Sequence, residues 1–146
     1  MDSARLRRVH GYTAPETEVR PSPIDKLGLF AKVDIPIRTV VAAWGGRILT
    51  ETEIKRLPAK FRTNYALPLY PGFYIAETKE KDLDASDFIN HSCDPNCRII
   101  NLLVMVTQRR IRAGEELTSD FDSGPDLGIK SRCGCGSEKC RHIVYF

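Results

Sequence analysis

Asn90-His91-Ser92-Cys93-Asp94-Pro95-Asn96-Cys97 sets an amide, an imidazole, a hydroxyl and a thiol in four consecutive positions and then turns. Asp-Pro-Asn is turn chemistry, because proline presets φ while Asp and Asn side chains bond their own backbone. Phe88-Ile89 upstream is an apolar pair that anchors the stretch in a core, and Arg98-Ile99-Ile100 downstream reads as the return into a strand. Taken alone, the segment is equally a buried polar turn between two strands. Two later features weigh against that bland reading. Gly114-Glu115-Glu116-Leu117-Thr118-Ser119-Asp120-Phe121 follows a short strand pattern, and Cys133-Gly134-Cys135 with Cys140 lies near the C-terminus.

Outward from this stretch the pattern is one of short strands. Residues 28–36 form an apolar strand ended by a proline turn, residues 39–44 a second, and Gly45-Gly46 turns that one back into residues 47–49. Thr50-x-x-Glu53 is a capping box, which predicts a short helix running to Leu57 and stopped by Pro58. Residues 64–69 and 72–76 read as strands around a Tyr70-Pro71-Gly72 turn, and residues 83–88 as one helical turn. Residues 102–107 are continuously apolar, hence a buried strand, with a turn at 111–114. Residues 1–20 carry mixed charge and little periodicity, which predicts a weakly ordered arm, and residues 122–131 read as linker. Many short strands, few helices and no repeat imply a mostly β fold in one domain.

A chain of 146 residues buries roughly two thirds of its unfolded surface in one core. A net charge of +3 is too weak to argue for nucleic acid, so Arg5, Arg7 and Arg8 read as part of a solvated arm. No run of 18 apolar residues predicts a membrane span, and no apolar segment near the N-terminus predicts a secretory signal. Five cysteines, three of them within eight residues, suit a metal knuckle better than a disulfide framework. An intracellular, reducing compartment follows, cytoplasmic or nuclear. Cys133-x-Cys135-x4-Cys140 supplies three thiolates on a loop that Gly134 and Gly136 let wrap an ion. Structural zinc takes four ligands, so one is missing locally, and His142 is the nearest candidate. Cys97 reads as a small buried hydrophobe. No Gly-x-Gly-x-x-Gly or Walker pattern occurs, which leaves nucleotide-phosphate readings unsupported.

In this order the three motifs resemble a SET-domain protein-lysine methyltransferase with a post-SET zinc motif, over roughly residues 22–146. The resemblance implies a β-rich fold of several small sheets with few short helices, in which the C-terminal segment threads the 90–97 stretch in a knot-like way. It divides the chain into a SET domain at 21–123 and a zinc-binding post-SET tail at 124–146. It nominates Cys93 as fourth ligand beside Cys133, Cys135 and Cys140. It implies S-adenosylmethionine as cofactor, held by Lys26, Gly28, Leu29, Phe30, Asn90 and His91. Lys26 stands where the first glycine of that family stretch often is.

Tyr65 matches a tyrosine of the lysine channel. Phe121 stands at the family's catalytic tyrosine, Ser119 at the variable site before it, and Asp87 where an arginine is usual. With Phe121 the expected rate is low, and the small Ser119 leaves room for a water to replace part of the lost hydrogen bond. The function implied is methyl transfer to a lysine of a protein or peptide substrate, with a histone-like tail among the candidates. The alternative is a catalytically silent SET-like module that binds peptide or cofactor. A third reading, a small zinc-stabilised nucleic-acid binder, rests on the Arg-rich N-terminus with Arg132, Lys139 and Arg141.

Overall fold

In the computed structural model, which describes residues 8–123 and 130–145, short strands assemble into four small sheets. Numbered in chain order, β1 (Tyr12–Thr13), β4 (Val40–Ala43), β10 (Val104–Thr107) and β9 (Cys97–Ile100) form the first. The second is β2 (Thr17–Pro21), β3 (Leu27–Ala31), β11 (Glu116–Ser119) and β8 (Asn90–His91). The third is β5 (Arg47–Thr50), β7 (Phe73–Ala76) and β6 (Ala66–Tyr70), and β12 (Lys130–Arg132) pairs with β13 (Ile143–Tyr145) in the fourth. Among these pairings only β8 with β11 is parallel.

The core lies between the first two sheets. Val41 and Met105 from one meet Leu29 and Leu117 from the other, all fully buried, with Ile35, Ile111, Ile89 and Cys97 closing around them. Each such aliphatic side chain contributes roughly 1.5–3 kcal/mol on burial. The continuous apolar run at 102–107 has its reason here, since β10 is an inner strand flanked by β4 and β9.

The capping box forms as expected at the start of α1 (Glu51–Arg56): Glu53 N–H donates to Thr50 Oγ1 at 3.3 Å, and Thr50 N–H to Glu53 Oε2 at 2.8 Å. Pro58 ends α1 but also opens a second helix, α2 (Ala59–Asn64), which the pattern did not predict. The Pro58 carbonyl accepts from Phe61 N–H, and Phe61 is buried. Proline lacks only a donor that the first helical turn does not need.

Three further expectations change. Residues 8–20 are not a weakly ordered arm. β1 and β2 lie there, and β2 pairs with β3 from Thr17↔Ala31 to Pro21↔Leu27. Edge strands join through backbone bonds, which leave little side-chain signature. Residues 1–7 lie outside the described residues. Gly45-Gly46 does not make a hairpin, because β4 and β5 belong to different sheets. Gly46, at φ +131°, carries the chain across, and a Cβ there would sit 2.7 Å from the Ala76 backbone. In the expected linker, residues 124–129 lie outside the described residues, and Lys130–Arg132 is a strand.

Candidate active site and thiol cluster

β8 lies beside β11 with Asn90 against Thr118 and His91 against Ser119. It is approached by a single 3-10 turn, Ala85–Phe88, capped reciprocally by Asp84 and Asp87. Beyond it, the turn is pinned by Asn96, which is buried. Its amide donates to the Glu116 carbonyl at 2.8 Å and its oxygen accepts from Thr118 N–H at 3.0 Å, so one side chain stands in for a missing strand. The Asn90 amide nitrogen donates to Glu116 Oε1 at 2.8 Å and the Leu27 carbonyl at 2.9 Å. Glu116 in turn accepts from Ser22 Oγ at 2.9 and 2.8 Å. The Asn90 nitrogen therefore holds the 22–27 loop, and its carbonyl and main chain are what it can offer a ligand.

These segments wall an open cleft of about 1090 Å³. Of the predicted site residues, Lys26, Tyr65, Asn90, His91 and Phe121 line it, and so does Cys133. Gly28, Leu29 and Phe30 do not. They form the strand behind, where Leu29 is core and a Cβ on Gly28 would meet Glu116 Oε1 at 2.1 Å. Lys26, in the place of a family glycine, takes a positive φ of 32°. Trp44 also lines the cleft and meets the Phe121 ring edge-on at 6.1 Å. Ser119 is fully buried and borders a separate cavity of about 220 Å³ with Cys97 and Gln108. A water beside Ser119 would thus lie off the main cleft, and the expected compensation for Phe121 finds no support.

The titrating groups are set by burial. Burial pushes the His91 imidazole below its ordinary value, against the pull of Asp120 at 3.6 Å. The neutral ring accepts Phe121 N–H on Nδ1 at 3.1 Å, which leaves the proton on Nε2, 3.3 Å from Cys93 Sγ. Burial, with the charges of Asp87 and Asp25, pushes the Tyr65 phenol up and keeps it a neutral donor. Asp87, which also lines the cleft, is pushed up to about 7, first by burial.

Cys93, Cys133, Cys135 and Cys140 bring their sulfurs within 4.8 Å of one another, with Cys93 and Cys133 at 3.7 Å. Four thiolates about 2.3 Å from a tetrahedral zinc are roughly 3.8 Å apart, so the cluster fits that ion. Backbone N–H groups point at the sulfurs, Arg141 N at Cys93 and His142 N at Cys140, both at 3.4 Å. The His142 side chain is exposed and its backbone is left-handed, at φ +64°. Gly136 takes a φ of +72° and allows the tight loop. Ion pairs fasten this tail to the turn, Lys139 to Asp94, and to the end of β11, Arg141 to Asp120. Cys97 is fully buried and its thiol is pushed up to about 12, consistent with an inert core group.

Sequence reasoning missed Trp44 as a cleft residue, and it missed the Glu116 and Asn96 amide partners, which carry no local signal. Residues 26–122 match the SET domain family. Probable histone-lysine N-methyltransferase set-23 of Caenorhabditis briggsae is 35% identical over 133 residues, covering 80% of this chain and 55% of that protein. The H3 lysine-4 specific histone-lysine N-methyltransferase of Schizosaccharomyces pombe is 34% identical over 154 residues, covering 94% of this chain and 16% of that protein. Human histone-lysine N-methyltransferase 2B is 30% identical over 155 residues, with 96% and 6% covered. The chain thus spans about half the length of the first relative and a small part of the other two.

Proposed function

This chain belongs to the SET domain family, and from that premise we propose that it transfers a methyl group to a lysine side chain of a protein substrate. The observation that carries the reading is the convergence of Tyr65, Asn90, His91, Trp44 and Phe121 on one cleft walled by the cysteine tail. S-adenosylmethionine, when bound, supplies the electrophilic methyl on a sulfonium. The main chain of Asn90–His91 and the carbonyl of Asn90 offer the donor and acceptor pair that an adenine edge requires. A lysine ammonium, with an ordinary pKa of about 10.4, has no lone pair to attack with. Entering between Trp44, Tyr65 and Phe121 strips its water, and desolvation lowers that pKa so the proton can leave to solvent. The neutral Tyr65 hydroxyl is suited to orient the amine, and alignment does the rest. Phe121 adds only a ring.

We read residues 21–123 as the catalytic unit and 124–146 as its tail, with zinc bound by Cys93, Cys133, Cys135 and Cys140. In this role the metal does no chemistry and holds the tail as a wall of the cleft. The substrate class we infer is a histone tail, as the relatives' names suggest, which would make the site of action nuclear. The absence of a hydroxyl at Phe121 favours a second reading, a silent module that binds cofactor or peptide. Incubating the protein with radiolabelled S-adenosylmethionine and histone-tail peptides tests both. Label on lysine supports the enzyme; calorimetric cofactor binding without transfer to any peptide or lysate protein supports the module.

A further inference from the structure

Arg8 lies outside the stretch that matches the family, yet its side chain is only 12% exposed. It grips Glu77, itself 1% exposed, with Nε at 3.0 and 2.9 Å from the two carboxylate oxygens and Nη2 at 2.7 Å. Nη2 also donates to the Asp82 carbonyl and lies 3.7 Å from Asp84, while Nη1 meets His10 Nδ1 at 2.7 Å. The carboxylates of Glu77, Asp84 and Asp87 fall within 4.8 Å of one another, so this guanidinium faces three acids. Asp87 stands where the resemblance places an arginine. The positive charge beside it comes from the N-terminal segment.

Each arm of the grip leads to one wall of the cleft. Glu77 N–H donates to the Tyr65 carbonyl at 3.3 Å, on the lysine-channel side. Asp84 accepts Gly11 N–H and Ser86 N–H, both at 3.0 Å, and its own N–H donates to Asp87 at 2.8 Å. That capped turn runs straight into Asn90–His91. Val9 is locked to Gly46, two residues after Trp44, by a pair of backbone bonds at 2.9 and 2.8 Å. We propose that Arg8 is a positioning residue that fixes the Tyr65 wall and the Asn90–His91 wall in one register. The proposal rests on the methyltransferase reading only for what the two walls hold.

A pair that merely stabilised the fold would act on the whole core, and the test separates the two roles. The zinc-loaded 146-residue chain is compared as wild type, Arg8→Lys, Arg8→Met, and Arg8→Met with Glu77→Gln. The double variant removes the buried Glu77 charge together with its partner, so its melting midpoint should recover much of what Arg8→Met alone loses, with Asp84 and Asp87 still lacking their cation. Its amide exchange should nevertheless be about tenfold faster at 65–66, 76–77 and 84–91, with β4 and β10 unchanged. Its dissociation constant for S-adenosylmethionine should be about tenfold weaker. Arg8→Lys should fall between, because an ammonium cannot make the two-pronged contact. Wild-type exchange at those segments in the double variant, or faster exchange spread evenly over β4 and β10, overturns the proposal. If wild type binds no cofactor, the methyltransferase reading falls and the exchange pattern alone decides the role of Arg8.

Discussion

Phe121 is where one added oxygen would change the chemistry most. Its N–H is held by His91 and its ring is packed on Trp44, so the backbone position does not depend on the para substituent. A tyrosine hydroxyl there could orient the amine, a neutral hydrogen bond worth about 0.5–1.5 kcal/mol net, or a several-fold rate effect. Better alignment multiplies this, up to roughly a hundredfold for an ångström of displacement. Phe121→Tyr is therefore expected to raise the single-turnover rate with an unchanged cofactor dissociation constant, and a slower variant would make the phenyl ring itself the adapted group. Asp87 gives a pH signature at the same scale. Its carboxyl moves from 3.8 to about 7 on folding, by burial first and then by the charges of Asp84 and Glu77, against the Asp84 N–H and Arg8. The native state then binds more protons than the unfolded one between these values. Its contribution is full below about 4 and is lost as pH rises through about 7. Denaturant midpoints at pH 5 to 8 should show wild type losing ground to Asp87→Asn as pH rises. Parallel curves would mean that Asp87 titrates near its ordinary value.

Among the elements, β11 holds the most together, with β3 on one side, β8 on the other and Asn96 reaching its backbone. Asn96→Ala leaves the Glu116 carbonyl and the Thr118 N–H buried without partners, an expected cost of roughly 2–4 kcal/mol. Asn96→Asp keeps the acceptor for Thr118 but sets a carboxylate oxygen against the Glu116 carbonyl in a buried place, and should lose at least as much. Urea unfolding reads both, and a loss below about 0.5 kcal/mol for alanine would show that the two backbone groups find other partners. The elements legible in sequence are those whose signal is local. The Thr50 capping box is one, the apolar run of β10 another, and the turn at Tyr70-Pro71-Gly72 a third. β1 and β2 were illegible because a strand recruited to an edge by backbone bonds needs no apolar face. Gly45-Gly46 was misread for a related reason: a glycine pair says that the chain turns, and only the Ala76 backbone it skirts says where.

At the scale of the molecule, the chemistry-bearing residues were legible as short motifs, while the cleft is a meeting of segments that share no spacing. Lys26, Trp44, Tyr65, Asn90, Phe121 and Cys133 converge there, and the Arg8–Glu77 pair joins two charged stretches that each look like solvated surface. The tail shows what the fold does with its thiols. Cys93 comes from the central turn and the other three from the C-terminus, yet among the described residues none of the tail belongs to the main core cluster. Val144, buried in β13, instead lines the cleft beside Lys130–Gly134. Losing the metal should therefore open the tail and spare the core. Wild type is expected to hold one equivalent of zinc, retained by His142→Ala, whose ring is exposed, and released by Cys93→Ser. Chelation or Cys93→Ser should weaken S-adenosylmethionine binding severalfold or more while far-ultraviolet circular dichroism keeps most of its β signal. Metal analysis in parallel with calorimetry checks both halves. Should His142→Ala release the metal while Cys93→Ser keeps it, the knuckle is local to the tail. Unfolding of the whole chain on chelation would instead make the metal a part of the core's own stability.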